Sequence, residues 1–247
     1  MKKPARINDC HIHMGLSGPW SPDFDPSVTV EDVMVVMKEN NVKKAVVFPN
    51  PLPGSKYPKA NDYIISCARE FPDRLIGFGR IDPRYGREIF PEIKRLASSG
   101  IKGIKLHPIV ECFRPDHPYF FQVYDCIVKS NIKFVITHTD SHNSLASAKY
   151  WSVIAKKFTK LNIVLAHLNK TCIPLLKEFS NIYVETSASS ISFIEKACAI
   201  DSSRVMFGSD YPYQDYKREL AKVMKSRLSM REKEKVLYKN FDRIFSD

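Results

Sequence analysis

The sequence predicts an α/β fold, a (β/α)8 TIM barrel folded as a single domain over residues 1–247 with an extra C-terminal helix. Three observations carry this expectation. Eight β-rich runs alternate with helical segments, successive runs are spaced by about one βα unit, roughly 20 to 35 residues, and polar residues gather at the C-terminal ends of the runs. In order, the runs are "INDCHIH", "KAVVFPN", "LIGFGRID", "IKGIKLHP", "IKFVITHT", "NIVLAHL", "NIYVETSA" and "RVMFGSDY". Between them, "SVTVEDVMVVMKENN", "PKANDYIISCAREF", "YGREIFPEIKRLASSG" and "YFFQVYDCIVKSN" show helical periodicity or helix-start signals. The segment from Gln214 to Asp247 is long enough for the eighth helix and one more that closes or caps the barrel. An open doubly wound sheet also alternates strand and helix. It commonly carries a GxGxxG turn after its first strand, and the glycines of "HIHMGLSGPW" do not fit that spacing.

Composition narrows the class. With 44% hydrophobic and 26% charged residues the chain reads as an ordinary soluble globular protein, which excludes disordered and collagen-like chains. No run of about 18 apolar residues occurs, and no apolar stretch of signal-peptide length follows the basic N-terminus. A cytoplasmic protein with no membrane contact is expected. Six scattered cysteines without a CxxC pair argue for reduced thiols rather than a zinc knuckle or a disulfide framework. The net charge of +11 is spread along the chain, so nucleic-acid binding is disfavoured, while a homo-oligomer is compatible with the sequence.

Position decides where the chemistry lies. Strand ends make up about a sixth of the chain, so chance puts about one of seven histidines there. Five of the seven are found there: His11, His13, His107, His138 and His167, with Lys105 and Asp210 beside them in the same register. Strict alternation along the first strand puts Asp9, His11 and His13 on one face and Cys10 on the other, against the helices. Imidazoles two apart on a strand converge on one ion, and a third imidazole and a carboxylate from other strands complete a shell. Nitrogen and oxygen donors without thiolate suit a divalent metal, with Zn2+ the default, and a bound water then ionises near neutral pH. Asp9 is either a ligand or a supporting acid. Lys105 calls for a carboxylate, an anionic substrate or carbamylation. His117 and His142 fall in loop-like sequence and read as structural or exposed.

These motifs together resemble the amidohydrolase superfamily, and within it amidohydrolase family 2. The resemblance rests on "DCHIH", "GIKLHP" with "FRPD", "ITHTD", "LAHLN", "YVETSA" and "MFGSDYP", in that order from residue 9 to residue 212. It implies that His11, His13, His138 and Asp210 bind one divalent ion, with a second ion allowed. It implies that His167 either serves a second ion or polarises substrate and shuttles a proton, and that Asp210 takes a proton from attacking water. Lys105 then compares with the carboxylated strand-4 lysine of binuclear relatives, although "GIKLHP" suits a mononuclear site. Substrate contacts are expected from Lys105, His107, Arg80 and Arg114, with a surface ion pair the alternative for each arginine. Asp140, Asn169 and Lys170 are expected at the mouth, and the short "MGLSGPWSPDFDPSVT" loop should leave a modest wall on that side.

The expected activity is metal-dependent hydrolysis of an amide, lactone or ester bond in a small molecule. Its alternative is non-oxidative decarboxylation of a small, often aromatic, carboxylic acid. A metal-dependent deoxyribonuclease ranks below both, because the chain has "GIKLHP" and "FGSDYP" where such enzymes place a strand-4 glutamate and an acidic-Thr-Asp ending.

Overall fold

A computed structural model describes residue 4 and residues 6–16 and 26–245. Eight parallel strands run in sequential order: β1 (Ile7–Met14), β2 (Val42–Pro49), β3 (Leu75–Arg80), β4 (Gly103–Leu106), β5 (Phe134–His138), β6 (Asn162–Ala166), β7 (Ile182–Glu185) and β8 (Val205–Met206). The sheet closes on itself where Cys10 N donates to Phe207 O (3.0 Å), Asp210 N to His11 O (2.9 Å) and His13 N to Tyr211 O (2.8 Å). The expected barrel is therefore the observed one.

Helices α1 (Val30–Glu39), α2 (Tyr57–Glu70), α3 (Phe90–Ser98), α4 (Phe121–Lys129), α5 (Trp151–Lys157), α6 (Cys172–Glu178), α7 (Ile191–Asp201) and α8 (Tyr216–Lys225) follow the strands in turn. Local sequence starts several of them. Thr29 and Asp32 form a reciprocal capping box on α1, and the Ser190 and Asp215 side chains accept from backbone N–H groups at the starts of α7 and α8. None of the described helices is long and apolar enough to cross a membrane.

Alternation along the strands sorts the core into two layers. Ala45, Val47, Val135, Ile163, Leu165 and Val184 face outward and pack with helix residues such as Val33, Ile64, Leu96 and Ile127. Val46, Phe48, Phe78, Phe134, Ile136, Val164, Ala166 and Met206 face inward and fill the barrel. The base is stoppered by the C-terminal segment, in which α9 (Met230–Glu234), a π turn and α10 (Asn240–Phe245) run on continuously. Phe241 and Phe245 join the inner layer, the Phe245 ring lying 4.9 Å from that of Phe134. Asp242 of α10 accepts from Asn8 Nδ2 (2.8 Å) and Arg6 Nη2 (2.7 Å), tying the end of the chain to its first strand.

One expectation about β1 is corrected. The β1–β2 register shifts between Asp9 and Ile12, so three steps on β1 match two on β2, from Ala45 to Val47. This bulge breaks the alternation. Cys10 lies in the inner layer with Phe48 and Phe78, not in the outer layer that packs against the surrounding helices. Asp9 turns away from the two histidines: its Oδ1 accepts from His11 N and Ser209 N, both at 3.0 Å, and its charge perturbs the buried Tyr216 phenol of α8. Asp9 thus braces the backbone at His11 and Ser209 and is in neither group of converging donors among the described residues, and burial pushes its carboxyl up to about 6. The loop expected to form a modest wall lies largely in residues 17–25, outside the described residues.

Candidate metal centre and active site

At the C-terminal mouth, β1 supplies His11 and His13 and the turn after β8 supplies Asp210. Asp210 Oδ1 lies 3.1 Å from His11 Nε2 and 3.4 Å from His13 Nε2, and the two Nε2 atoms are 3.2 Å apart. Donors bound at about 2.0–2.2 Å to one ion sit about 3 to 3.5 Å from one another, so these three atoms already have the edge lengths of a coordination shell. Burial holds His13 neutral, the form a ligand needs, and Asp210 is held ionised: burial alone would raise its carboxyl, but His167 and His11 keep it well below the usual range. The donor set fits a divalent cation.

The surroundings orient these ligands. Glu185, at the end of β7 and fully buried, accepts from His11 Nδ1 (3.1 Å), His167 N (2.8 Å) and Ser187 Oγ (2.7 Å) through Oε1, and from Ser187 N (2.6 Å) through Oε2. A carboxylate at Nδ1 keeps the proton there and frees the Nε2 lone pair of His11 for the metal. Glu185 also forms a donor group with His11 and His167. Three of its four accepted bonds fall on Oε1 and one on Oε2, so the carboxylate fixes both imidazoles and the chain after β7. Burial would raise the Glu185 carboxyl, but His11, His167 and Ser187 outweigh it and hold it at about 2, against 4.5 for an ordinary glutamate. Because the folded-state value is the lower one, this stabilisation is complete above about pH 4.5 and is lost as pH falls toward 2. Glu185→Gln is expected to flatten the decline of denaturation midpoint between pH 5 and pH 3, as followed by urea titration. A decline as steep as in the unaltered protein would refute the assignment.

His138, the expected fourth ligand, lies beside this triad. Its ring stacks on His107 (centroids 3.9 Å apart) and meets His167 edge-on (4.6 Å), and it is in neither of the donor groups that close within 4.8 Å among the described residues. The structure thus brings His11, His13 and Asp210 together and leaves His138 at the edge of the same cavity, with His107 and His167. Burial keeps all three of these imidazoles below their ordinary pKa. His167 and Asp210 both sit at positive φ (61° and 59°). Left-handed backbone at a non-glycine costs on the order of 1–3 kcal/mol, and it recurs where side chains must be aimed into a site.

The cavity holds about 320 Å3 and is lined by His13, Pro51, Lys105, His107, Ile109, Val110, His138, His167, Asp210 and Tyr213. Lys105 is fully buried; its Nζ lies 3.1 Å from His11 Nε2 and 4.6 Å from the centroid of the Phe48 ring. It makes no ion pair among the described residues, and burial pulls its ammonium down to about 7.

The arginines divide. Arg114 is exposed and paired with Asp116 at 2.7 Å, the surface pair named as its alternative. Arg80 departs from both expectations. It is fully buried, its Nε and Nη2 donate to Glu111 Oε1 (3.0 and 2.9 Å), and its guanidinium lies over Tyr57. Its charge is already compensated inside the barrel wall. Glu111 also accepts from His107 N (2.5 Å) and Tyr57 Oη (2.8 Å), fastening the loop that carries His107, Ile109 and Val110. Asn169 is used locally, donating to His167 O and Thr139 Oγ1. Sequence reasoning assigned no role to Glu185 or Glu111; "YVETSA" carried the signal for the first, a buried-strand acid directly before two hydroxyl residues.

Comparison with known proteins agrees with this geometry. The amidohydrolase family model matches residues 9–246. The chain belongs to the amidohydrolase family. No curated protein matches it significantly. Among solved structures, this amidohydrolase is similar to 5-carboxyvanillate decarboxylase from Sphingomonas paucimobilis at 17% identity and a TM-score of 0.78, covering 98% of this chain and 99% of that one. It is also similar to 2,6-dihydroxybenzoate decarboxylase from Rhizobium, at 12% identity, TM-score 0.74 and 99% of both chains. A third likeness is dihydroxybenzoic acid decarboxylase from Polaromonas sp. JS666, with bound manganese and the inhibitor 2-nitroresorcinol, at 13% identity, TM-score 0.76, 98% of this chain and 97% of that one.

Proposed function

We propose that this amidohydrolase is a metal-dependent non-oxidative decarboxylase of a small aromatic carboxylic acid. The observation that carries this reading is the cavity. Its volume is at the small end of ligand pockets, about 300–1,000 Å3. Pro51, Ile109, Val110 and Tyr213 give it apolar walls, and its one lysine, Lys105, faces no carboxylate partner beside the ligand triad. A planar ring fits between such walls, and its carboxylate meets Lys105 and the centre formed by His11, His13 and Asp210. The decarboxylase alternative is therefore better supported than the hydrolase reading, and full-length likeness to three decarboxylases agrees with it.

His11, His13 and Asp210, with His138 at the edge, would hold one divalent ion, which would supply positive charge for the substrate oxygens. The imidazoles suit zinc and the carboxylate suits manganese, the ion bound in the similar Polaromonas decarboxylase, and elemental analysis of the purified protein identifies the ion. An anionic substrate beside His167 favours protonation of that ring. His167 then passes its proton to the ring carbon bearing the carboxylate; the carbon–carbon bond breaks, its electron pair returns to the ring and carbon dioxide leaves. All six cysteines are free thiols, Cys112 exposed and the other five buried, which suits a reducing cytoplasm.

The test is carbon dioxide release from a panel that includes 5-carboxyvanillate and 2,6-dihydroxybenzoate, run beside amide and lactone substrates. Opening of an amide or lactone with no carbon dioxide release would restore the hydrolase reading. Lys105→Met is expected to raise KM for the acid about 10- to 100-fold, the loss of one charge-assisted contact of about 1.5–3 kcal/mol. An unchanged KM would remove Lys105 from the substrate site.

A further inference from the structure

Ser187 follows β7 by two residues, is fully buried, and lies between two groups that the proposed reaction needs. Its Oγ is 2.7 Å from Glu185 Oε1 and 2.9 Å from His167 Nδ1. Proton counting fixes the direction of both bonds. An ionised carboxylate only accepts, so the single Ser187 hydroxyl proton goes to Glu185, and the Ser187 oxygen is left to accept from His167. The proton on the His167 ring must then sit on Nδ1. We propose that Ser187 is a positioning residue that locks the His167 imidazole with its proton on Nδ1, so that Nε2 is the atom presented to the cavity for proton transfer.

The backbone supports the same assignment. Glu185 Oε1 also accepts from His167 N, and Ser187 N donates to Glu185 Oε2, so one carboxylate anchors the main chain on both sides of the relay. His167 stands at φ 61°, a conformation an unconstrained histidine avoids, which aims its ring across β7 toward Ser187. Glu185 further accepts from His11 Nδ1, so the same carboxylate sets the tautomers of a metal ligand and of the proton carrier: His11 directly, His167 through Ser187. A neutral imidazole without such a partner distributes its proton over both nitrogens, and a wrongly placed proton disables a general acid–base histidine even where its geometry is intact.

The inference rests on the reading of His167 as the proton carrier, and its test has an arm that needs no turnover. In zinc-loaded, 15N-histidine-labelled protein near pH 8, the His167 ring is identified by the signal missing from His167→Gln. It is expected to show a protonated Nδ1 and a bare Nε2. Ser187→Ala is expected to move it to a mixture of tautomers while metal content is unchanged, and Ser187→Thr, which keeps the hydroxyl, to restore it. In kinetics, Ser187→Ala should lower kcat about 10- to 100-fold with KM within about threefold, again rescued by threonine. Retention of the Nδ1 proton in Ser187→Ala, or an unchanged kcat, would overturn the proposal. If the unaltered enzyme releases carbon dioxide from no acid, the reaction reading fails and the tautomer measurement alone decides the role of Ser187.

Discussion

Asp210→Ala is expected to empty the metal centre. Its Oδ1 lies within 3.4 Å of both His11 Nε2 and His13 Nε2, and it is the anionic member of the triad. Without it, two imidazoles remain beside Lys105 with no anionic donor among the triad, a poor site for a dication. Elemental analysis should show bound metal falling from about one equivalent per chain to a small fraction, with turnover lower by about 10^3-fold or more. His138→Ala is the contrast: with all three triad donors left in place, metal affinity should weaken by about 10- to 100-fold without being abolished. Full metal occupancy in Asp210→Ala would refute the assignment, and complete loss in His138→Ala would give that histidine equal rank with the triad.

Gly208→Ala is expected to damage the site without replacing a ligand, by crowding Glu185 and His11. A Cβ at this position would lie 2.1 Å from Glu185 Oε2 and 3.0 Å from His11 Cβ. Neither neighbour can yield cheaply, because Glu185 is held by four accepted hydrogen bonds and His11 by the bulge and the metal shell. Overpacking of this kind costs about 1–3 kcal/mol, which for a chain of this size lowers Tm by about 3–10 °C. The displaced carboxylate should also weaken metal binding about 10- to 100-fold, since it fixes the His11 tautomer. A variant with unchanged Tm and unchanged metal affinity would show that the backbone shifts to make room.

How much of this was legible beforehand depended on whether a feature is local. The eight strands and the histidines at their ends can be read from one stretch at a time, because apolar runs and turn signals are short-range. The bulge in β1 cannot. It is a mismatch of register against β2, so strict alternation placed Asp9 with the histidines and Cys10 among the helices, the reverse of the structure. Arg80 was misread for a related reason: its partner Glu111 lies 31 residues away, on a loop whose approach only the closed barrel determines. Glu185 stood in a quoted motif, yet a lone acid at the end of a strand gives no sign that it gathers four donors. His138 shows the converse limit, since family likeness grouped it with the triad while the geometry sets it to one side.

The stopper at the base of the barrel has a consequence for how the chain folds as it is made. Arg6 and Asn8 meet Asp242 across 236 and 234 residues, and the seam that completes the barrel joins β1 to the segment after β8. A ribosome extending the chain from its N-terminus therefore exposes β1, with its histidines, long before its far neighbour exists. Early strands can pair in sequence as βα units, but the first edge stays open and the inner layer stays unsealed until residues 205–245 have emerged. The metal triad straddles this same seam, two donors on one side and Asp210 on the other, so the nascent chain cannot assemble its binding site until Asp210, about 200 residues after His11, has emerged.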